Sequence, residues 1–240
     1  MARIRFQQNL DDLKERLLVM AGMAEQSIQR AVEAYRVRDL SICDLVDRGE
    51  MAINRLEREI DQMALDLLAM EQPMAIDLRF ILAVIKINAD VERVGDSARA
   101  ISDRVRELQA FPAVDLPIDI PRTANLASGM VRKALQAFIE GDADMAQTVL
   151  TMDDSVDKLN GSAHYTLLNL MKKDPAVAPQ ALNALMISRA LERVADHATN
   201  IAEDVIFWVR GADVRHNASA AAGNNNARAA KVQTRSEAGS

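Results

Sequence analysis

The sequence predicts an all-α protein made of two tandem three-helix-bundle repeats, with six long helices in total. Three observations support this fold class. Aromatic residues make up only 3% of the 240 residues while apolar residues reach 49%, and β-sheets depend on aromatic and β-branched side chains. No segment alternates between apolar and polar residues as a half-buried strand does. A motif in the first half of the chain recurs 100 residues later, which indicates internal duplication.

The six prolines divide the chain, because proline breaks the interior of a helix, and we interpret all six as lying in connections. The segments between them predict six helices, over about 9–35, 39–70, 76–108, 122–139, 143–172 and 179–210. Helices of this length joined by short turns are typical of antiparallel bundles.

Local signals set the ends of several helices. The first helix has an apolar seam at steps of three and four residues, formed by Leu10, Leu13, Leu17, Met20, Ala24, Ile28 and Ala31. Asp39 and Asp142 are predicted to cap the starts of the second and fifth helices. Gly141 and Gly211 are predicted to end the fourth and sixth helices.

Four regions follow from this layout. We predict repeat one over 6–110, a linker over 111–121, repeat two over 122–212 and a disordered tail over 213–240. The linker reads FPAVDLPIDIP, and its prolines favour a stiff, extended segment. The tail consists of small and polar residues without periodicity, as disordered segments do.

Composition and charge exclude several classes of protein. The net charge of −6 disfavours binding to nucleic acid. The one cysteine, Cys43, cannot form an internal disulfide, which favours a reducing cytosol, and we interpret it as a packed apolar thiol. The charged N-terminus is unlike a signal peptide, and no stretch approaches the roughly 18 apolar residues of a membrane span. We therefore expect a cytoplasmic protein.

The duplication is clearest in two pairs of segments. Residues 87–101 (INADVERVGDSARAI) and 187–201 (ISRALERVADHATNI) are identical at 7 of 15 positions. Upstream, EMAIN at 50–54 aligns with DDSVD at 153–157. The offset falls from 103 to 100 between the two alignments because the connecting loops differ in length.

Each repeat carries two pairs of acidic or amide residues spaced four apart. Such residues share one helix face, with Cβ atoms roughly 5–6 Å apart. Two antiparallel helices that present such pairs would bring three or four carboxylates together, and a cation would be needed to neutralise them. Carboxylate oxygens suit Mg, Mn, Fe or Zn, so a metal is one candidate. The predicted ligands are Glu50, Asn54, Glu92, Asp96, Asp153, Asp157, Glu192 and Asp196.

A solvated helix face is the alternative interpretation of any single pair, since acidic residues are common in this chain. The repetition favours a function, because the Glu and Asp are retained in both copies while their neighbours change. Arg93 and Arg193 are retained as well, and we interpret them as partners of neighbouring carboxylates. Arg99 adds a cation to the stripe that carries Glu92 and Asp96.

Other candidate site residues are interpreted as structural. His197 points about 100° away from the Glu192/Asp196 stripe, so we expect it to pack or lie at the surface. Phe207 and Trp208 are expected to anchor the end of the last helix in the core. The sequence contains no Gly-rich phosphate loop, no Cys–His zinc set and no nucleophile with a neighbouring base. We therefore predict that the protein is not an enzyme.

Five stretches, in this order, point to a known protein family. They are MAGMAEQSIQRAV at 20–32, QPMAIDLR at 72–79, ERVGDSA at 92–98, ERVADHA at 192–198 and VRGADVRH at 209–216. Together with the duplication they resemble the PhoU family of phosphate-specific transport system accessory proteins. The resemblance covers about residues 5–216.

This resemblance implies a negative regulator of phosphate-starvation genes and of phosphate uptake. It also implies an adaptor between the ATPase subunit of the phosphate ABC transporter and a membrane-bound sensor histidine kinase. Contact with the membrane would then occur only through these partners. A homodimer is common in the family.

Some members of the family bind iron or zinc clusters through Asp/Glu-x-x-x-Asp motifs. By resemblance, these motifs correspond here to Glu92/Asp96, Glu192/Asp196 and Asp153/Asp157, whereas Glu50/Asn54 departs from the pattern with an amide. Two alternative functions stay open. One is a carboxylate-cluster metalloprotein with a hydrolytic or metal-storage role, and the other is a scaffold of the same fold for another transporter.

Overall fold

The computed structural model describes residues 2–71 and 73–211. Within these residues the chain forms six α-helices, one short 3₁₀-helix and no β-strand, which confirms the all-α prediction. The helices are α1 (Ala2–Val37), α2 (Leu40–Glu71), α3 (Ile76–Leu108), α4 (Ile120–Glu140), α5 (Ala143–Lys173) and α6 (Ala178–Arg210), with the 3₁₀-helix at Pro175–Val177. The predicted disordered tail, 213–240, lies outside the described residues.

Two helices begin earlier than predicted. Helix α1 begins at Ala2 rather than near residue 9, because no breaker interrupts the first turns and the half-buried Phe6 packs against the core. Helix α4 begins at Ile120 rather than at residue 122, and the Asp119 side chain accepts a hydrogen bond from the backbone N–H of Arg122.

The assignment of all six prolines to connections is wrong for two of them, since only Pro121 and Pro179 lie within α-helices. Pro121 and Pro179 lie in the first turns of α4 and α6, and Pro175 opens the 3₁₀-helix. The first turn of a helix tolerates proline, because its N–H groups have no partner within the helix.

The predicted helix ends are confirmed. Asp39 accepts a hydrogen bond from the backbone of Ser41 at 2.8 Å at the start of α2. Asp142 accepts bonds from the first backbone N–H groups of α5. Gly141 and Gly211 adopt left-handed conformations, with φ of 63° and 68°, directly after α4 and α6. Glycine is favoured there because it has no Cβ to clash.

The helices form two groups of three that share one large interface. Helices α1, α2 and α3 pack against one another, as do α4, α5 and α6, and the most extensive interface joins α3 to α6. These two helices are antiparallel, since Arg79 contacts Trp208 and Lys86 contacts Asp204. Helix α1 also packs on α4.

The core is continuous between the two groups. One cluster of buried apolar side chains includes residues from all six helices, and a small second cluster lies at the start of α6. Phe80, Phe138 and Trp208 form an aromatic cluster that joins α3, α4 and α6, with ring centroids 5.1–5.7 Å apart. This confirms that Trp208 anchors the end of α6, whereas Phe207 is half-buried beneath the Lys86 ammonium.

Two further observations concern single features. None of the helices in the described part of the chain combines the length and the apolarity needed to cross a bilayer. Cys43 is fully buried, and its Sγ lies 3.8 Å from the carbonyl oxygen of Ser102, which confirms that it is a packed thiol.

Candidate functional site

The predicted acidic pairs lie along the grooves between α2 and α3 in repeat one and between α5 and α6 in repeat two. The pairs of α3 and α6 have the same exposure, since Glu92 and Glu192 are half-buried and Asp96 and Asp196 are exposed. The pairs of α2 and α5 differ, since Glu50 is buried and its counterpart Asp153 is half-buried. Each helix is amphipathic, so the apolar residues between the acidic positions face the core while the carboxylates reach the groove.

Within the cluster of acidic residues between α2 and α3, Glu50 is the best-buried carboxylate, with an exposed fraction of 9%. Its Oε1 accepts a hydrogen bond from Asn54 Nδ2 at 2.9 Å, within α2. The same oxygen accepts a second bond from Arg99 Nη1 of α3 at 3.0 Å. The sequence placed Arg99 on the stripe with Glu92 and Asp96, and the structure shows that its partner is Glu50 on the facing helix.

The carboxylates of repeat one influence one another across the groove. Burial raises the pKa of Glu92, and repulsion from Asp96, Glu57 and Glu50 raises it further. The structure therefore brings the predicted pairs of α2 and α3 together.

Glu57 belongs to this cluster, although the sequence analysis did not select it. Burial, followed by repulsion from Asp61 and Asp96, raises the pKa of Glu57. It lies seven residues after Glu50 and so shares its helix face. Glu57 forms an acidic pair with Asp61, four residues later, but its counterpart in repeat two is Asn160, so the comparison of the repeats does not mark it.

In repeat two, the two helices bring together four carboxylates. Burial, followed by repulsion from Asp157 and Asp196, raises the pKa of Asp153 to about 6. Burial and the same two neighbours raise the pKa of Glu192. Burial and Asp157 raise the pKa of Asp196, which His197 and Arg193 lower in part. The ionised forms of Asp153, Glu192 and Asp196 are thus disfavoured in this cluster, and a bound cation would favour them.

The donor set of repeat two suits a hard or borderline cation. Asp153 Oδ1 is buried and has no hydrogen-bond partner among the described residues, which is costly for a carboxylate oxygen. No three histidine, cysteine, aspartate or glutamate side chains within 2–71 and 73–211 lie close enough together to hold one ion. A metal would therefore have to draw exposed carboxylates such as Asp157 and Asp196 inwards by changes of rotamer.

His197 and Asp90 lie outside both clusters. His197 has an exposed fraction of 9% and packs at the interface of α3 and α6, where its Nδ1 donates to Asp90 Oδ1 at 2.9 Å. This agrees with the prediction that His197 is a packing residue. Arg93 lies 3.6 Å from the same carboxylate oxygen, as its interpretation as a carboxylate partner requires.

Comparison with known proteins places this geometry in a family. The PhoU domain matches residues 17–105 and again residues 120–205, which are the two groups of helices, so the predicted duplication is confirmed. The phosphate-specific transport system accessory protein PhoU homolog of Pseudomonas aeruginosa is 37% identical over 215 residues, which cover 88% of each chain. The homolog from Clostridium acetobutylicum is 33% identical, over 89% of this chain and 98% of its own.

Solved structures agree with the sequence comparison. The crystal structure of PhoU from Pseudomonas aeruginosa superposes with a TM-score of 0.83 at 36% identity, over 86% of this chain and 100% of that one. The phosphate transport system regulatory protein PhoU from Streptococcus pneumoniae gives a TM-score of 0.80 at 26% identity, over 87% and 99%. Because the PhoU domain matches both repeats and these relatives align along nearly their whole length, this chain belongs to the PhoU family.

Proposed function

We propose that this protein regulates phosphate transport and keeps the phosphate-starvation response and phosphate uptake repressed when phosphate is abundant. The observation that carries the proposal is the match to relatives named as phosphate-specific transport system accessory proteins, which is 37% identical over 88% of the chain. A relative in Streptococcus pneumoniae is named a regulatory protein of the same system.

The protein would act as an adaptor rather than as an enzyme. Its two partners would be the ATPase subunit of the phosphate ABC transporter and the phosphate-sensing histidine kinase. The duplication supports this role, because it gives one chain two related helical surfaces, one formed by α2 and α3 and the other by α5 and α6. The membrane would be reached only through these partners.

The carboxylate clusters would bind metal as part of this role. The orphaned, buried Asp153 Oδ1 and the mutual repulsion of four carboxylates support a cation in repeat two. When bound, the metal would supply positive charge that links α5 to α6. Iron and zinc are the first candidates, with manganese and magnesium next, because all of them accept carboxylate oxygen ligands.

Deletion of the gene tests the regulatory proposal. Expression of phosphate-starvation genes in phosphate-rich medium should rise in the deletion strain and return to its low level when the wild-type gene is restored. Normal repression in the deletion strain would exclude the proposed function. Growth in phosphate-poor medium is the control, since the response should be on in every strain there.

Co-purification tests the partners and separates the alternatives. The tagged protein should retain the ATPase subunit of the phosphate transporter, and retention of another transporter's ATPase instead would favour the scaffold alternative. A phosphatase activity that disappears in Glu192→Ala would favour the metalloenzyme alternative. The homodimer and the cytoplasmic location stay predictions, which sedimentation analysis and cell fractionation would check.

A further inference from the structure

The two carboxylate clusters occupy equivalent positions but are neutralised differently. In repeat one, Glu50 accepts bonds from Arg99 at 3.0 Å and from Asn54 at 2.9 Å. A guanidinium is always charged at physiological pH, so this cluster carries its own cation. The amide of Asn54 contributes a second donor and no charge.

The equivalent positions of repeat two offer no such donors. The offsets of the duplication align Glu50 with Asp153, Asn54 with Asp157, and Arg99 with Thr199. The Thr199 hydroxyl donates to the carbonyl oxygen of Asp196 within its own helix, at 2.7 Å, so it does not contact a carboxylate.

The carboxylates of repeat two consequently lack a close cation. In the described part of the chain, no Lys, Arg or His nitrogen lies within 4.0 Å of a carboxylate oxygen of Asp153, Asp157, Glu192 or Asp196. The buried Asp153 Oδ1 has no partner of any kind among these residues. Its counterpart Glu50 is ion-paired at 3.0 Å.

We propose that Arg99 takes the place of a metal in repeat one, so that only the cluster of repeat two binds a metal cation. This inference rests on the proposed metal binding and limits it to one cluster per chain. Arg99 is then a specificity-determining residue, because it decides which of the two related clusters accepts a cation from solution.

Electrostatics gives the reason. A cation that entered repeat one would have to share Glu50 with a guanidinium at 3.0 Å or displace it, and both cost free energy because like charges repel at short range. The Arg99 side chain is 52% exposed, so its replacement by the smaller Thr leaves no cavity in the core. The position can therefore be exchanged between the repeats without disturbing the packing beneath it.

Reciprocal exchange of the differing residues tests the proposal. Arg99→Thr with Asn54→Asp gives repeat one the side chains of repeat two, and Thr199→Arg with Asp157→Asn does the reverse. Metal-free protein would be incubated separately with Zn²⁺ and Mn²⁺, freed of excess ion by gel filtration, and assayed for metal per chain by elemental analysis. We expect the first variant to bind twice as much metal as the wild type and the second to bind almost none.

Removal of ligands locates the metal in the wild type. Glu192→Ala/Asp196→Ala should lose nearly all bound metal, while Glu92→Ala/Asp96→Ala should retain it. Arg99→Lys is the matched control, since it keeps the positive charge and should leave the metal content of the wild type unchanged. Gel filtration and thermal unfolding of each variant show whether it is folded, and the Arg99 variant decides the question if the Thr199 variant does not fold.

The possible outcomes separate this inference from the proposals on which it rests. Metal that is shared equally between the two clusters of the wild type would overturn the role of Arg99 and leave metal binding intact. Wild-type protein without metal would overturn both metal binding and the role of Arg99. Neither result bears on the gene-deletion test, which measures regulation directly.

Discussion

His197 of α6 donates a hydrogen bond from Nδ1 to Asp90 Oδ1 of α3 at 2.9 Å. Both residues are almost fully buried, with exposed fractions of 9% and 6%, so this contact joins the two repeats within their largest interface. Asn200 Nδ2 donates to the same oxygen at 3.2 Å. At the offset of 100 residues between the repeats, Asp90 corresponds to Ala190 and His197 corresponds to Ser97. The equivalent polar contact, between positions 190 and 97, therefore does not exist, and the interface is asymmetric at this point.

Replacement of Asp90 should destabilise the protein. Asp90→Ala would leave His197 Nδ1 and Asn200 Nδ2 without an acceptor, and we expect a loss of about 2 kcal/mol, since hydrogen bonds to charged groups contribute on this scale. Urea unfolding at neutral pH measures the loss. Ser97→Ala is the matched control, because Ser97 bonds only to the carbonyl oxygen of Arg93 in its own helix. Equal stabilities of the two variants would contradict the prediction.

Gly95 should be intolerant of a methyl group because of Ile53. A Cβ at Gly95 would lie 2.9 Å from Ile53 Cδ1, so Gly95→Ala forces the buried Ile53 side chain to move. We expect a loss of about 1 kcal/mol, as overpacking outweighs the gain in helix propensity. Repeat two has the complementary pair, Ala195 with Val156, at the corresponding positions.

A double-mutant cycle checks this relationship. Addition of Ile53→Val to Gly95→Ala should recover part of the lost stability, and the coupling free energy should be about 1 kcal/mol. Gly161→Ala is the control, because nothing lies within 4 Å of a Cβ at that position, and it should stabilise α5 slightly. If the effects of Gly95→Ala and Ile53→Val on stability were strictly additive, the contact with Ile53 would not be what excludes a methyl group at position 95.

The protein should become less stable as the pH rises, because of the carboxylate cluster of repeat two. The pKa of Asp153 is raised to about 6 in the folded protein, above the ~3.9 of an unperturbed aspartate. Its stabilising contribution to the free energy of unfolding is therefore fully present below the pKa of Asp153 in the unfolded chain, and it is lost as the pH rises through about 6. Because the side chain is partly exposed, we expect a loss of only about 1 kcal/mol.

Asp153→Asn isolates this contribution, since the amide resembles the neutral carboxylic acid. In metal-free buffer the variant and the wild type should be equally stable near pH 4, and the variant should be the more stable by about 1 kcal/mol at pH 7. Urea unfolding across this pH range gives the difference. A difference that does not change with pH would show that Asp153 titrates as it does in the unfolded chain.

Cys43 should react with thiol reagents only when the protein unfolds. Its side chain is fully buried between α2 and α3, and reaction requires a solvent-accessible thiolate. With a chromogenic disulfide reagent, native protein should release almost no chromophore, whereas protein in urea should release one equivalent, because the chain has one cysteine. Rapid labelling of the native protein would mean that α2 separates readily from α3.

Much of the helical layout follows from the sequence because its causes are local. Helix α3 spans the predicted residues 76–108, and Gly141, Asp142 and Gly211 act as the caps that were predicted. Proline is a less informative signal, because it occurs both in connections and in the first turn of a helix. Pro121 is predicted to precede the fourth helix, which is predicted from residue 122, although the first turn of a helix accepts proline.

The candidate site was predicted in part. The duplication identified the pairs at 92/96, 153/157 and 192/196, and the structure places the members of each pair beside the carboxylates of the facing helix. Glu57 was missed because its counterpart, Asn160, is not acidic. The comparison of the repeats does not mark Asp90 either, because Ala190 stands at its position in repeat two, although Asp90 makes one of the contacts that join the repeats.

The sequence by itself determined the all-α class, most helix ends, the duplication and the helix face that carries each acidic pair. These depend on the 3.6-residue period and on residues a few positions apart. Only the tertiary structure decided that Arg99 pairs with Glu50, that Asp90 meets His197, and that one core continues through both repeats. These contacts depend on how the helices are rotated and aligned against one another, which is set by packing between residues far apart in the chain.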